Sequence, residues 1–159
     1  MSLRVVIDHV AGARRGQRQE LDANKRIRFG RHPECEVAFD AHRDIDASSR
    51  HAELRSREPS PTTQPEAAPP NGWVLVDLGS SNGTYVDGRR ITEALVAQNV
   101  PLDLQFGPGG PRVRMFVGDE VAIQNLPPPP LETTRPRWLV PAVGGAAFLV
   151  VIVLLATRC

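Results

Sequence analysis

Lysine is nearly absent from this chain. Lys25 is the only one in 159 residues, and the other full positive charges are arginines, a bias read as GC-rich coding rather than function. Basic and acidic side chains number 19 and 18, a net charge of +1. No global field therefore draws the chain to nucleic acid. The two cysteines, Cys35 and Cys159, do not suggest a disulfide framework and read as free thiols of a reducing compartment. Aromatic residues make up 5% of the chain, so Val, Leu and Ile must fill most of any core. The chain has no glycine-rich nucleotide loop, no cluster spaced for a metal, and no acid–base pair beyond what loops ordinarily carry. No catalytic residue, cofactor or metal is indicated. The N-terminus lacks a secretory signal, since the apolar run from Leu3 to Val10 is short and broken by Asp8 and His9.

What is present is a succession of short β-branched segments separated by turn residues. Val5–Ile7 reads as a first strand, and residues 11–19 as a hairpin loop. Arg18–Leu21 and Lys25–Phe29 follow, turning at Asp22-Ala23-Asn24. Further strands are expected at Val37–Phe39, His51–Ser56, Trp73–Leu78, Thr84–Val86, Arg90–Thr92, Leu102–Phe106 and Val113–Val117. Residues 57–71, REPSPTTQPEAAPPN, read as a Pro-rich insertion in a hairpin, where length costs little. About eleven short strands with regular turns predict an all-β sandwich.

Two stretches carry the candidate chemistry. In residues 29–54 the pair Gly30-Arg31 precedes the Val37–Phe39 strand, and Ser48, Ser49 and His51 follow it. Loops at one end of successive strands can converge. Arginine offers a planar fork of donors with a permanent charge, and serine hydroxyls add neutral donors, a set suited to an oxyanion and above all to phosphate. The second stretch, DLGSSNGTYVDG at 77–88, places turn pairs Asn82-Gly83 and Asp87-Gly88 around one short strand. Taken singly, Arg31 reads as a surface arginine and Asn82 as a turn residue. His51 with Ser48 suggests a triad only in isolation, because no third member or oxyanion hole accompanies them.

Together GRxxxCEVxF, SSRHAEL and DLGSSNGTYVDG resemble the forkhead-associated (FHA) domain over roughly residues 3–118. The resemblance implies an FHA-type β-sandwich, here residues 1–118, whose loops at one end bind phosphothreonine peptides. By it Arg31 neutralises the phosphate, Ser48 donates to it, and Asn82 holds the peptide main chain. Ser49 stands where relatives carry a longer Asn or Arg. Gly30, His51 and Gly83 would support the site, Gly30 by a tight turn that exposes Arg31 and His51 by bracing the loop. The partner implied is a phosphothreonine-containing protein, the substrate of a serine/threonine kinase. The alternative is a scaffold of the same fold that binds without phosphate.

Beyond Gly118 the composition changes. Val121-Ala122-Ile123 can pack back on the domain, and residues 119–137 read as a Pro-rich linker. Residues 138–157 read as a transmembrane helix whose apolar part, Leu139–Ala156, carries no charge. As a helix that part is about 27 Å long, enough for a thin hydrocarbon core. Trp138 suits the headgroup region, and Arg135 and Arg137 on the near side outnumber Arg158 beyond, consistent with a cytoplasmic N-terminal domain on a tail-anchored, single-pass protein. The bacterial inner membrane is the expected location. Small residues Ala142, Gly145 and Ala146 would permit helix association. Thr133-Thr134 reads as plain linker or as a phosphorylatable segment for self-association. The resemblance implies termini opposite the site loops, which favours capture by a neighbouring molecule.

Overall fold

The computed structural model describes residues 2–57 and 72–129. Eleven strands and one short helix are formed among them. The first sheet has the order β2-β1-β11-β10-β7-β8, with β1 at Arg4–Ala11, β2 at Arg18–Asp22, β7 at Thr84–Val86, β8 at Arg89–Ile91, β10 at Leu102–Phe106 and β11 at Arg112–Gly118. The second has the order β4-β3-β5-β6-β9, with β3 at Ile27–Gly30, β4 at Val37–Ala38, β5 at Ala52–Ser56, β6 at Trp73–Asp77 and β9 at Glu93–Val96. All pairs are antiparallel except β3 with β4. The Asp87-Gly88 pair joins β7 to β8 with φ of 48° and 79°, the two positive values of a type I′ hairpin.

Four local expectations change. Asp8 and His9 do not interrupt β1. Both are buried within it, because β2 supplies their partners. Arg18 donates to Asp8 through Nε and Nη2 at 2.6 and 2.9 Å, and His9 Nε2 lies 2.9 Å from Gln19 Oε1. Lys25 and Arg26 belong to the turn before β3 rather than to the strand. His51 precedes β5 instead of opening it. Strand β9 is new to the sequence reading: it follows β8 after one residue, and Glu-Ala-Leu-Val shows no polar–apolar alternation, although its burial alternates with Leu95 58% exposed.

The core lies between the sheets and is mostly Val, Leu and Ile, but its aromatics are not scattered. Phe29 stacks on Phe106 at 5.2 Å between centroids, and Phe39 tilts against Phe106 at 4.9 Å. Phe29 and Phe106 end their strands at Gly30 and Gly107, so this cluster sits directly beneath the loops at one end. At the other end the buried Trp73 donates its indole N–H to Ala23 O at 2.9 Å. The parallel β3–β4 crossover is braced by Arg28, whose guanidinium holds the Glu36 carboxyl down to about 2.

After β11 the helix α1, Glu120–Gln124, is capped by Asp119 and packs Ile123 on Val6 and Phe116 of the first sheet's outer face. Leu126 extends that contact. Pro128 and Pro129 then lie beside His9, Gly16 and Gln17. Gly118 itself pairs with Arg4 at the end opposite the aromatic cluster, as the resemblance implied. The chain nevertheless turns back toward the β1–β2 hairpin, so distance no longer argues that Thr133 and Thr134 reach only a neighbouring molecule. Those two residues, residues 58–71 of the Pro-rich insertion, and Leu139–Ala156 lie outside the described residues. Among the described residues no helix is long and apolar enough to cross a membrane.

Phe106 is the residue through which three rings meet. Phe106→Ala is expected to destabilise the fold by about 3–5 kcal/mol, measured as a lowered urea midpoint at unchanged slope.

Candidate functional site

The register of the second sheet aligns Phe29, Ala52 and Asp77 across β3, β5 and β6. The loops that leave these strands therefore emerge together. They are 31–36, 39–51 and 78–83. Gly30 serves this convergence in an unexpected way. It is the last residue of β3, its φ is not positive, and no tight turn forms there. A Cβ at that position would overlap the Ser49 carbonyl oxygen and crowd Arg50 Cα. Glycine is required so that the 39–51 loop can lie against β3. The contact is sealed by the Arg31 and His32 amides, which donate to Ser48 O at 3.1 Å and Ser49 O at 2.9 Å.

Arg31 is aimed by carbonyls. Its Nε donates to Ala47 O at 2.6 Å and its Nη1 to Ala41 O at 2.9 Å. Among the described residues no carboxylate pairs with it, so the charge and the remaining donors are left for an external anion. Ser48 joins two loops, its Oγ accepting from the Ser81 amide at 3.1 Å while its own hydrogen remains available. Asn82 donates Nδ2 to Asp46 O at 2.9 Å, which ties the 78–83 loop to the 39–51 loop and leaves Oδ1 free to accept. Arg31, Ser48 and Asn82 thus fall within one connected network. Ser49 is held only through its backbone. Its side chain is exposed and makes no hydrogen bond among the described residues.

His51 is fully buried under these loops. Its Nδ1 accepts from the Ser48 amide at 2.9 Å, which leaves Nε2 to donate to Gly83 O at 3.0 Å. The ring stands edge-on to Phe106 at 5.3 Å. Both nitrogens are engaged by backbone groups and neither touches the Ser48 hydroxyl, so the pair has no geometry for nucleophile activation. Gly83 takes φ of 85°, the left-handed turn its Asn-Gly pair suggests.

Residues 27–105 match the family model of the FHA domain. The chain carries an FHA domain. A crystal structure of an FHA domain from Mycobacterium tuberculosis aligns with a TM-score of 0.55 at 22% identity, covering 75% of this chain and 100% of that one. The solution structure of an Arabidopsis thaliana FHA domain gives 0.52 at 23%, covering 74% and 86%. At such identities the likeness is one of fold. By sequence the chain is 35% identical over 68 residues to the glycogen accumulation regulator GarA of M. tuberculosis, covering 43% of this chain and 33% of that protein. It is 40% identical over 58 residues to an oxoglutarate dehydrogenase inhibitor of Corynebacterium diphtheriae, covering 36% and 30%. It spans about a third of the length of these curated relatives. FHA domains are phosphopeptide-binding interaction modules rather than a family of enzymes.

The FHA loops depend on acidic residues that sequence reasoning left unassigned. Asp77 accepts from the Gly79 and Ser80 amides at 3.0 Å and from the Ser80 and Thr84 hydroxyls at 2.6 Å. Burial pushes its carboxyl up, but the Ser80 and Thr84 donors outweigh this and hold it below the usual carboxylate range. Asp44, almost fully buried, accepts from the Ala13 and Asp40 amides and fixes the 39–51 loop to the β1–β2 hairpin. The signal for Asp77 was present in its own segment, as an Asp two and three residues before Gly and Ser is an Asx-turn pattern. Asp44 has one partner four residues away, but the one that ties it to the β1–β2 hairpin is 31 residues away and leaves no local signal.

Burial also holds the His51 pKa below its ordinary 6.5, against the raising effects of Gly83 and Asp77. A histidine whose folded pKa is depressed contributes stability that is present above the unfolded value and lost as pH falls through the folded one. Folding stability should therefore decline as pH drops below 6.5, and His51→Gln should flatten that decline while lowering stability at neutral pH. Urea titrations across this window test it. Stability is the better readout than binding, because a phosphate monoester itself titrates near pH about 6.

Proposed function

We propose that this protein reads phosphothreonine peptides and recruits phosphorylated partners to a membrane surface. The observation that carries the reading is Arg31, a guanidinium aimed by the Ala47 and Ala41 carbonyls, without a carboxylate partner among the described residues, on loops that also bring the Ser48 hydroxyl to the Ser81 amide. A phosphate brings a charge of roughly −1.5 to −2 and three acceptor oxygens, which match those donors. Arg31 would supply the charge and Ser48 a hydroxyl hydrogen bond. The exposed Ser49 sits at the rim, within reach of the phosphate or its flanking residues. Asn82 would present Oδ1 to a peptide N–H while its Nδ2 keeps the loop in place, so that the amide reads the main chain and fixes its direction. Gly30, His51 and Gly83 act beneath this surface, as the packing that keeps the loops together.

The membrane part of the reading rests on sequence. Leu139–Ala156 has the length and apolarity of a bilayer span, Trp138 the character of an interfacial anchor, and the arginine asymmetry places the FHA domain on the cytoplasmic side, with the bacterial inner membrane the location that fits. Thr133 and Thr134, when phosphorylated, are ligands for the same site in their own chain or a neighbour.

The test is retention of a degenerate phosphothreonine library by the chain in detergent, with the unphosphorylated library as control. Selective retention is expected, and Arg31→Ala should weaken it by about 2–5 kcal/mol, since it leaves a desolvated anion unpaired. Serine in place of phosphothreonine's parent threonine should bind less well, and Asn82→Ala should reduce affinity for peptides more than for inorganic phosphate. Equal retention of both libraries by the folded chain would establish a phosphate-independent scaffold instead.

A further inference from the structure

At the end of the sandwich away from the site loops, the outer face of the second sheet is hollow. The concavity measures about 540 Å³. Arg26, Arg55 and Arg57 line it together with the donors Asn24 and Ser56, and Val74 forms part of its wall. Its position follows from register. Arg55 lies opposite Val74 and Ser56 opposite Trp73, at the far end of β5 from His51. Strand β5 separates the two ends by about 13 Å from Ala52 to Ser56, at ~3.3 Å per residue.

Among the described residues the charges here are only partly balanced. Arg26 shares Glu53 at 3.5 Å, and Glu93 lies at the rim. Arg55 and Arg57 have no ion-pair partner among the described residues. Three arginines lining one hollow together with amide and hydroxyl donors are matched to a phosphate ester, which accepts forked hydrogen bonds from arginine. Leu95, paired with Val74 on the same face, is 58% exposed and places an apolar side chain beside the arginines. Basic groups flanking an exposed apolar residue form the pattern of a surface that rests in a lipid headgroup layer.

We propose that this hollow binds the phosphate of anionic phospholipid headgroups and docks the FHA domain on the bilayer, with the phosphopeptide loops turned away from it. The proposal rests on the reading of Leu139–Ala156 as a membrane anchor. Residues 130–138 can reach no more than about 30 Å, so the domain is held at the surface and headgroups meet it at high effective concentration. A span of that length lets either end of the sandwich face the membrane, and the gathering of Arg26, Arg55 and Arg57 around one hollow favours the end that carries it. A second phosphopeptide site is the weaker match, because a peptide seated on Arg31 and Asn82 leaves the sandwich at its opposite end.

The test uses the full chain in nanodiscs of phosphatidylcholine with or without phosphatidylglycerol. Arginine side chains are modified with phenylglyoxal, and each position is read by mass spectrometry. Phosphatidylglycerol should slow modification of Arg26, Arg55 and Arg57 by about fivefold or more, and raised salt should reverse this, while Arg43 and Arg50 at the other end react equally in both discs. In Arg55→Glu/Arg57→Glu the protection of Arg26 should vanish with phosphothreonine-peptide binding unchanged, which shows the variant folded. Equal modification in both discs overturns the proposal. Protection by a soluble phosphopeptide in phosphatidylcholine discs, without any effect of phosphatidylglycerol, overturns it in favour of a second peptide site. A chain that enters neither disc removes the anchor, and the headgroup contact with it.

Discussion

The imidazole of His51 has one acceptor and one donor, and each is spent on a different loop. The Ser48 amide takes the first and the Gly83 carbonyl the second, both at about 3 Å. Because the ring is fully buried against Phe106, neither bond competes with water. The phenyl ring below it also packs Phe29 and Phe39, which lead into and out of the loop that carries Arg31. Movement of the site loops would thus disturb the densest aromatic part of the core. That coupling is why a set of short loops can hold a guanidinium, a hydroxyl and an amide in fixed relation before any ligand arrives, and preorganisation of this kind lowers the entropy lost on binding.

Much of this was legible in the residues. Strand positions followed from alternation, and Thr84–Val86 and Leu102–Phe106 fall where the pattern places them. The Asp87-Gly88 turn formed as its dipeptide demands. The association of Arg31, Ser48 and Asn82 could be anticipated because all three lie on loops at the same end of neighbouring strands. What was not legible depended on contacts distant in sequence. Asp8 reads as a break in an apolar strand until Arg18 is seen opposite it. Gly30 reads as a turn glycine, whereas its lack of a side chain matters for the approach of Ser49, nineteen residues on by the numbering. The reversal of the chain after α1, which brings Pro129 back beside Gly16, depends on an apolar strip formed by Val6 and Phe116 from different strands. No local window contains that strip.

The two ends of the sandwich differ in how their arginines are treated. At the site end Arg31 is oriented by neutral carbonyls, an arrangement that fixes direction without cancelling charge. Along the sides, Arg18, Arg28 and Arg114 are each consumed by an aspartate or glutamate and serve the fold. Among the described residues Arg14, Arg15, Arg43, Arg89 and Arg90 also have no ion-pair partner, so Arg31 is distinguished by its fixed direction among the site loops rather than by the want of a carboxylate alone. Arg55 and Arg57 are distinguished by sharing one concavity with Arg26.

The central claim is that the phosphate is received at a site already built by the His51 clamp. Amide and arginine side-chain nitrogen–proton correlation spectra, recorded while a retained phosphothreonine peptide is added, address it most directly. The account predicts large shifts at the Arg31 Nε–H and the Ser81 amide, with the Ser48 amide, committed to His51, nearly unmoved, and no such response to the unphosphorylated peptide. Equal shifts with both peptides, or a response centred away from Arg31, would contradict it.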